Sequence, residues 1–140
     1  MPSLRCVMES ALYVTDLARA IAFYRDVLGL RVLSQFESER GVALAVGSAS
    51  VLLLFRAEET LKGGELPAHG ARGQGHIAFR VEPEELDAWR RHLQERGVKI
   101  EQEVCFGDNP PSIYFRDPDA NLLELAVASI WPLPGSAASD

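Results

Sequence analysis

The sequence predicts an α+β fold of two βαβββ units, in which a curved, cup-shaped mixed sheet carries its helices on the outside. Three observations support this prediction. The 140 residues are 47% apolar and 24% charged, which is typical of one globular domain with its own core. Only two helical patterns accompany about eight strand-like segments, which excludes a doubly wound parallel sheet. The second half of the chain also repeats the first.

The first unit is expected at residues 7–55. Residues 8–14 have a strand-like composition, and Asp16 is a suitable N-cap for the helix that follows. Gly29 marks the end of this helix. Its predicted buried face consists of residues at helical spacing, namely Leu17, Ile21, Tyr24 and Leu28. The three remaining strands of the unit are predicted at residues 30–36, 41–47 and 50–55.

The second unit is expected at residues 76–128. It begins with a strand over residues 76–81, and Pro83 suits the first turn of the next helix. Gly97 ends that helix, and its predicted buried face is Leu86, Trp89 and Leu93. Further strands are predicted at residues 98–104, 112–116 and 121–127, and the last two flank a turn at residues 117–120.

The two units can be aligned as an internal repeat. The aligned pairs of segments are 9–14 with 76–81, 29–32 with 97–100, and 49–54 with 120–125. Between the units lies a glycine-rich linker at residues 56–75, which is predicted to be either a flexible tether or a working loop. The tail at residues 132–140 is rich in Pro, Gly, Ser and Ala and is expected to be frayed.

The charge pattern excludes several classes of partner. The net charge is −6 and no basic run is present, which argues against binding to nucleic acid or to an anionic membrane. The most apolar stretch, residues 42–55, is too short to span a membrane and is interrupted by Gly47. The first residues lack the charged and apolar regions of a signal peptide, so a cytoplasmic protein is expected.

Alternation along the strands places Glu9, His76 and Glu124 on one face of the sheet, each as a polar residue in an apolar strand. A buried carboxylate needs a partner. One imidazole and two carboxylates are a suitable ligand set for a divalent metal, with positions left open for water or substrate. The same three residues also fit a hydrogen-bonded Glu–His cluster in which Glu9 is solvated.

Further polar side chains are candidates for substrate binding. Tyr13 and Arg80 share strand faces with Glu9 and His76, so they would bind an anionic or carbonyl group, or else extend into solvent. His69, in the linker, would line the mouth of a pocket or be an exposed loop residue. Three phenylalanines would form apolar pocket walls or ordinary core, namely Phe36, Phe55 and Phe106.

Four segments of the chain resemble the vicinal oxygen chelate superfamily, namely residues 12–17, 22–30, 75–81 and 114–125. That superfamily includes glyoxalase I, methylmalonyl-CoA epimerase, fosfomycin-modifying enzymes, bleomycin-resistance proteins and extradiol dioxygenases. The resemblance extends from about residue 9 to residue 127. It implies a divalent metal ion (Zn, Ni, Mn or Fe), a small-molecule substrate and a homodimer. The fold alone does not specify the reaction, because one scaffold hosts many chemistries.

The family's metal ligands correspond to Glu9, His76 and Glu124, although His or Gln is more usual at the first position. The fourth ligand of glyoxalase I corresponds to Leu53, which cannot bind a metal, so the resemblance to glyoxalase I itself is incomplete. Tyr114 lies ten residues before Glu124, as a tyrosine does in extradiol dioxygenases. Against a dioxygenase, non-haem iron oxygenases use two histidines and one carboxylate.

The main hypothesis is a metal-dependent enzyme of the lyase or isomerase type acting on a small oxygen-bearing substrate chelated to the metal. Glu124, Glu9 and Tyr114 are the expected catalytic residues, and either carboxylate would act as the base. One alternative is a non-catalytic binding protein of the bleomycin-resistance type. A lesser alternative is an extradiol-type dioxygenase. The sequence leaves open whether the metal site is built within one chain or across a dimer.

Overall fold

The computed structural model describes residues 1–134, and the chain divides into two compact units, Met1–Gly75 and a second unit that begins at His76. The first unit contains, in order, β1 (Glu9–Tyr13), α1 (Leu17–Asp26), β2 (Arg31–Gln35), β3 (Gly41–Val46), β4 (Ser50–Phe55) and α2 (Ala57–Thr60). The second contains β5 (His76–Arg80), α3 (Leu86–Glu95), β6 (Gln102–Val104), β7 (Ser112–Arg116) and β8 (Leu122–Ala126).

Each unit has its own four-stranded mixed sheet, and the two strand orders are equivalent. The first sheet has the order β1-β4-β3-β2 and the second the order β5-β8-β7-β6. In both, the first strand pairs in parallel with the last, and the other pairs are antiparallel. Only the first-to-last pair needs a long connection, and this connection includes the helix. The predicted pair of βαβββ units is therefore confirmed.

Helix α1 begins where the sequence predicts. The Asp16 carboxylate accepts a hydrogen bond from the backbone N–H of Arg19 at 2.9 Å, which caps the first turn. The buried face differs from the prediction by about one residue, because Ala20 is fully buried and Ile21 only half-buried. Since α1 lies against β2, β3 and β4, the small side chain of Ala20 lets the helix approach the sheet closely.

The two faces of the first sheet have different surroundings. One face packs under α1 and holds buried core residues, namely Leu12, Val42, Leu44, Leu52 and Leu54. The alternate residues on β3 and β4 form a second apolar cluster, in which Ala43, Leu53 and Phe55 are each 9% exposed. Partly buried side chains complete this cluster, namely Tyr13, Phe36 and Val51.

Two elements of the second unit are shorter or less buried than predicted. The strand expected at residues 98–104 is regular only from Gln102 to Val104. The Val98 N–H bonds to the Leu93 carbonyl at 2.8 Å, so Val98 completes the end of α3 instead of starting the strand. Trp89, expected on the buried face of α3, is half-buried.

The linker at residues 56–75 is folded, and its first part packs as a piece of the first unit. It contains the unpredicted helix α2, and the carbonyl of buried Thr60 accepts a hydrogen bond from the His69 N–H at 3.2 Å. A Cβ on Gly70 would lie 2.7 Å from the Leu61 side chain, which shows how closely this segment packs. Local sequence periodicity did not reveal α2, because a four-residue helix is too short to establish one.

The remaining expectations about the chain concern its ends and membranes. The predicted frayed tail falls largely on residues 135–140, which lie outside the described residues. Within residues 1–134 there is no helix with both the length and the apolar character that crossing a bilayer requires.

Candidate functional site

The second unit brings two of the predicted metal ligands together. His76 opens β5, and Glu124 lies in the middle of the adjacent parallel strand β8. The imidazole Nε2 of His76 lies 3.3 Å from the carboxylate Oε2 of Glu124. Both side chains lie on the same face of the sheet, as alternation along the strands predicts.

A backbone hydrogen bond orients the His76 ring. Its Nδ1 lies 2.9 Å from the carbonyl oxygen of Leu122, the residue paired with His76 in the parallel register. A carbonyl only accepts, so Nδ1 carries the hydrogen and Nε2 of the neutral ring presents its lone pair to Glu124. Two acceptors at 3.3 Å are stable only with a cation between them or a second proton on the ring. A histidine that donates its other N–H to a carbonyl is the usual arrangement at metal sites.

Glu124 carries a second sign of an incomplete site. The residue is 5% exposed, and its Oε1 atom is buried without a hydrogen-bond partner among residues 1–134. Leaving a buried carboxylate oxygen unsatisfied costs about 1–3 kcal/mol or more. A divalent cation bound by Glu124 and His76 would remove this cost, so the donor set fits a metal ion.

Tyr114 extends the polar cluster of the second unit. It lies directly opposite Glu124 in the antiparallel pair of β7 and β8, and its ring centroid is 6.4 Å from that of His76. Burial, then the hydrogen bond to Glu124 and its negative charge, raise the pKa of the Tyr114 hydroxyl above its ordinary value. Tyr114 is therefore a protonated hydrogen-bond donor at neutral pH.

Glu9, the third predicted ligand, lies at the start of β1 in the first unit and is exposed. Residues 1–134 contain no group of three His, Cys, Asp or Glu side chains that could hold a metal ion. The structure thus shows the His76–Glu124 pair, and the three-ligand site remains a prediction.

The equivalent place in the first unit is apolar. Leu53 pairs with Ala11 and Ala43, just as Glu124 pairs with Ala78 and Tyr114. This register confirms the alignment of Leu53 with Glu124 in the repeat. The first unit therefore cannot build a second copy of the polar cluster.

A cavity of about 900 Å³ lies instead on this face of the first unit. Its lining includes Glu9, Phe36, Leu53, Phe55 and His69. The hydroxyl of Tyr13 lies 2.7 Å from Nδ1 of His69, so two predicted substrate-binding residues are in contact. Phe106, by contrast, is 41% exposed and is not among the lining residues.

Arg80, the third predicted substrate-binding residue, is exposed at the end of β5. Its guanidinium lies 3.1 Å from the Glu82 carboxylate. It also lines a smaller cavity of about 480 Å³, together with Ala78, Ala126 and Trp131. Sequence reasoning missed Trp131, and the only signal for it was the apolar pair Ile130–Trp131 just before the predicted tail. The Leu122 carbonyl was also missed, because a backbone group leaves no signal in residue types.

Comparison with known proteins supports the fold. Residues 6–125 match the model of the Glyoxalase/Bleomycin resistance protein/Dioxygenase superfamily. A metallothiol transferase FosB of Bacillus licheniformis is 32% identical over 120 residues, which cover 84% of this chain and 72% of the relative. A glutathione transferase FosA of Serratia marcescens is 30% identical over 129 residues, covering 91% and 84% of the two chains.

Among solved structures, lactoylglutathione lyase from Agrobacterium tumefaciens has a TM-score of 0.87 and 32% identity. The match covers 94% of this chain and 100% of the lyase chain. A mutant of the fosfomycin resistance protein FosX from Listeria monocytogenes, complexed with Mn(II) and 1S,2S-dihydroxypropylphosphonic acid, has a TM-score of 0.64 and 25% identity. The match covers 89% of this chain and 90% of the FosX chain. The fold, the internal repeat and these matches show that the chain belongs to the Glyoxalase/Bleomycin resistance protein/Dioxygenase superfamily.

Proposed function

We propose that the protein is a divalent-metal-dependent enzyme of the lyase or isomerase type that acts on a small oxygen-bearing substrate. The observation that carries this proposal is the His76–Glu124 pair, in which the imidazole Nε2 and the carboxylate Oε2 are 3.3 Å apart. The buried Oε1 of Glu124, which has no partner among residues 1–134, also calls for a cation. The names of the metallothiol transferases and the Mn(II) in the FosX structure support a metal in this family.

In this proposal His76, Glu124 and Glu9 hold a Zn, Ni, Mn or Fe ion. The His76–Glu124 pair belongs to one unit, and residues 1–134 hold no three-residue ligand group. The third ligand in this proposal is Glu9, contributed either by the same chain or by the partner protomer of a homodimer. Two carboxylates and one neutral imidazole leave the divalent site formally neutral, with positions open for substrate oxygens.

Each polar residue of the cluster has a separate task in the reaction. When bound, a divalent metal acts as a Lewis acid that stabilises negative charge on a substrate oxygen. The protonated hydroxyl of Tyr114, which is hydrogen-bonded to Glu124 in the absence of substrate, would donate instead to the same developing charge when substrate is bound. Among residues 1–134 no group donates a hydrogen bond to Oε1 of Glu124, so this oxygen takes a proton from the substrate, and Glu9 is the other candidate base.

The proposed substrate-binding residues are Arg80, Tyr13 and His69. Arg80 provides a guanidinium at the end of β5, the strand that His76 opens, and would bind an anionic group of the substrate. Its ion pair with Glu82 is exposed and therefore weak enough to exchange for a ligand. His69 acts from the cavity of the first unit, and Tyr13 contacts His69 through its hydroxyl.

Elemental analysis of the purified protein tests this proposal. We expect near-stoichiometric Zn, Ni, Mn or Fe in the parent and its loss in His76→Ala and Glu124→Gln. His92→Ala is the matched control, because His92 is a histidine on α3, outside the cluster. A screen of small oxygen-bearing substrates should show turnover that follows the metal content. A metal-free parent after reconstitution, or a fully active Glu124→Gln, would refute the proposal.

A non-catalytic binding protein is the second candidate, and the apolar cavity beside Leu53 favours it. It predicts stoichiometric ligand binding that survives treatment with a chelator. Metal-dependent turnover would exclude it. For the lesser alternative, an extradiol-type dioxygenase, the position of Tyr114 opposite Glu124 is the supporting observation. Oxygen uptake with catechols after anaerobic loading with iron tests that alternative, and no uptake would dismiss it.

A further inference from the structure

We infer that the cavity of the first unit binds an uncharged aromatic ring that carries a hydroxyl or carbonyl group, and that His69 is the residue that hydrogen-bonds this group. The inference deepens the proposed function and rests on it for the link to catalysis, since Glu9 lines the same cavity. Binding of the ring itself requires only the first unit. The cavity is thus the specificity site for the ring-bearing part of the substrate.

The cavity wall is aromatic. The rings of Phe36 and Phe55 are nearly parallel, with centroids 6.0 Å apart and planes inclined by 24°. The His69 ring meets Phe55 edge-on, with centroids 4.8 Å apart and planes at 73°. Aromatic rings attract one another in these stacked and edge-on geometries beyond the simple burial of area. A volume of about 900 Å³ also lies within the range of small-molecule sites.

His69 is held in place at both its backbone and its ring. The backbone N–H bonds to the carbonyl of Thr60, which is completely buried, and Nδ1 contacts the hydroxyl of Tyr13 at 2.7 Å. His69 lines the cavity. Because its Nδ1 contacts Tyr13, we assign the hydrogen bond to the ligand to the other ring nitrogen, Nε2. An imidazole nitrogen bonds a hydroxyl or carbonyl oxygen, as donor or acceptor according to its tautomer.

The charges at the cavity disfavour an anionic ligand. Lys62 is ion-paired with Glu59 at 2.9 Å, so these two charges offset each other. The remaining charged lining residues are the carboxylates of Glu9 and Glu37 and the guanidinium of Arg40. The metal-free cavity therefore carries a net negative charge and favours an uncharged ring over an anionic one.

Binding of 2-naphthol to the EDTA-treated protein, measured by isothermal titration calorimetry, tests the inference. The probe is uncharged at neutral pH and carries one hydroxyl. We expect it to bind about tenfold more tightly than decahydro-2-naphthol, which has the same skeleton without aromatic rings. The anionic 2-naphthoate should bind more weakly than 2-naphthol. Equal binding of the saturated alcohol, or tighter binding of the naphthoate, would overturn the inference.

Variants locate the site. His69→Ala should weaken 2-naphthol binding about fivefold, and His92→Ala should leave it unchanged. Tyr13→Phe keeps the ring and removes the contact that positions His69, so a smaller loss is expected. Thermal unfolding curves check that each variant is folded. Unchanged binding in both His69→Ala and Tyr13→Phe would refute the role of His69.

The same titration separates this inference from the proposed function. His76→Ala should lose its metal, and its EDTA-treated form should bind 2-naphthol as the EDTA-treated parent does, because the residues that line the cavity all belong to the first unit. Retention of metal in His76→Ala would defeat the metal proposal and leave the ring site standing. A metal-containing parent that shows no binding of 2-naphthol would defeat the ring site alone.

Discussion

Leu53 and Glu124 hold equivalent positions in the two units. Leu53 is part of an apolar cavity wall, whereas Glu124 is a buried carboxylate. Each pairs with an alanine of a parallel strand, Ala11 or Ala78, at the same place in the register. This difference, together with Ala43 at the place where the second unit has Tyr114, separates an apolar cavity in the first unit from a polar cluster in the second. The duplicated fold therefore supplies two chemical environments from one architecture.

Replacing Glu124 with the leucine of its counterpart should stabilise the metal-free protein. Glu124→Leu removes the buried Oε1 atom that has no partner within residues 1–134. We expect a gain of about 1–2 kcal/mol in the free energy of unfolding, with complete loss of bound metal. Urea unfolding of metal-free samples measures the free energy of unfolding, and elemental analysis measures the bound metal. Glu84→Leu, at an exposed site, is the control and should give no gain in the free energy of unfolding. A Glu124→Leu protein less stable than the parent would contradict the prediction.

Removing the hydroxyl of Tyr114 should impair turnover without releasing the metal. Tyr114→Phe keeps the ring that lies beside His76 and removes the donor directed at Glu124. We expect turnover of a screened substrate to fall by about 10- to 100-fold, with metal content unchanged. Steady-state kinetics and elemental analysis on the same sample check both parts. Unchanged turnover would show that Tyr114 only packs against its neighbours.

Adding a methyl group at Gly41 should damage both stability and the ring site. A Cβ there would lie 2.6 Å from the Leu54 carbonyl oxygen and 2.6 Å from the Phe55 ring. Gly41→Ala should lower the free energy of unfolding by about 1–3 kcal/mol and weaken 2-naphthol binding by displacing Phe55. Gly47→Ala is the comparison, because it has open space and its only cost is a φ of +59°. Equal 2-naphthol affinity in both variants would contradict the prediction.

The turn before β8 should be essential for the metal cluster. One carboxylate oxygen of Asp117 accepts from the backbone N–H groups of Asp119 and Asn121, and the other accepts from the Asn121 side chain, each at 2.9 Å. Asp117→Ala leaves these donors unsatisfied, so we expect a loss of about 2–4 kcal/mol in unfolding free energy and weaker metal retention. Urea unfolding and elemental analysis measure the two effects. Asp108→Ala, at an exposed position, is the control and should match the parent.

Most elements of the fold could be predicted because their patterns are local. Alternation predicted β1 and β5, and the Asp16 cap and Gly29 bracketed α1 within a few residues. The exceptions have a tertiary cause. Helix α2 is held by the packing of the linker against the first unit, and β6 is short because Val98 completes α3 instead.

In the candidate site, too, some features follow from local sequence patterns and others from tertiary contacts. Residue types and alternation alone placed His76 and Glu124 on one face, because strand periodicity is a property of neighbouring residues. The tertiary structure decided that the Leu122 carbonyl orients His76, and that Tyr13 meets His69 across 56 residues of chain. Such contacts depend on strand register and on how a loop closes. Neither is encoded in the residues that surround each side chain in the sequence.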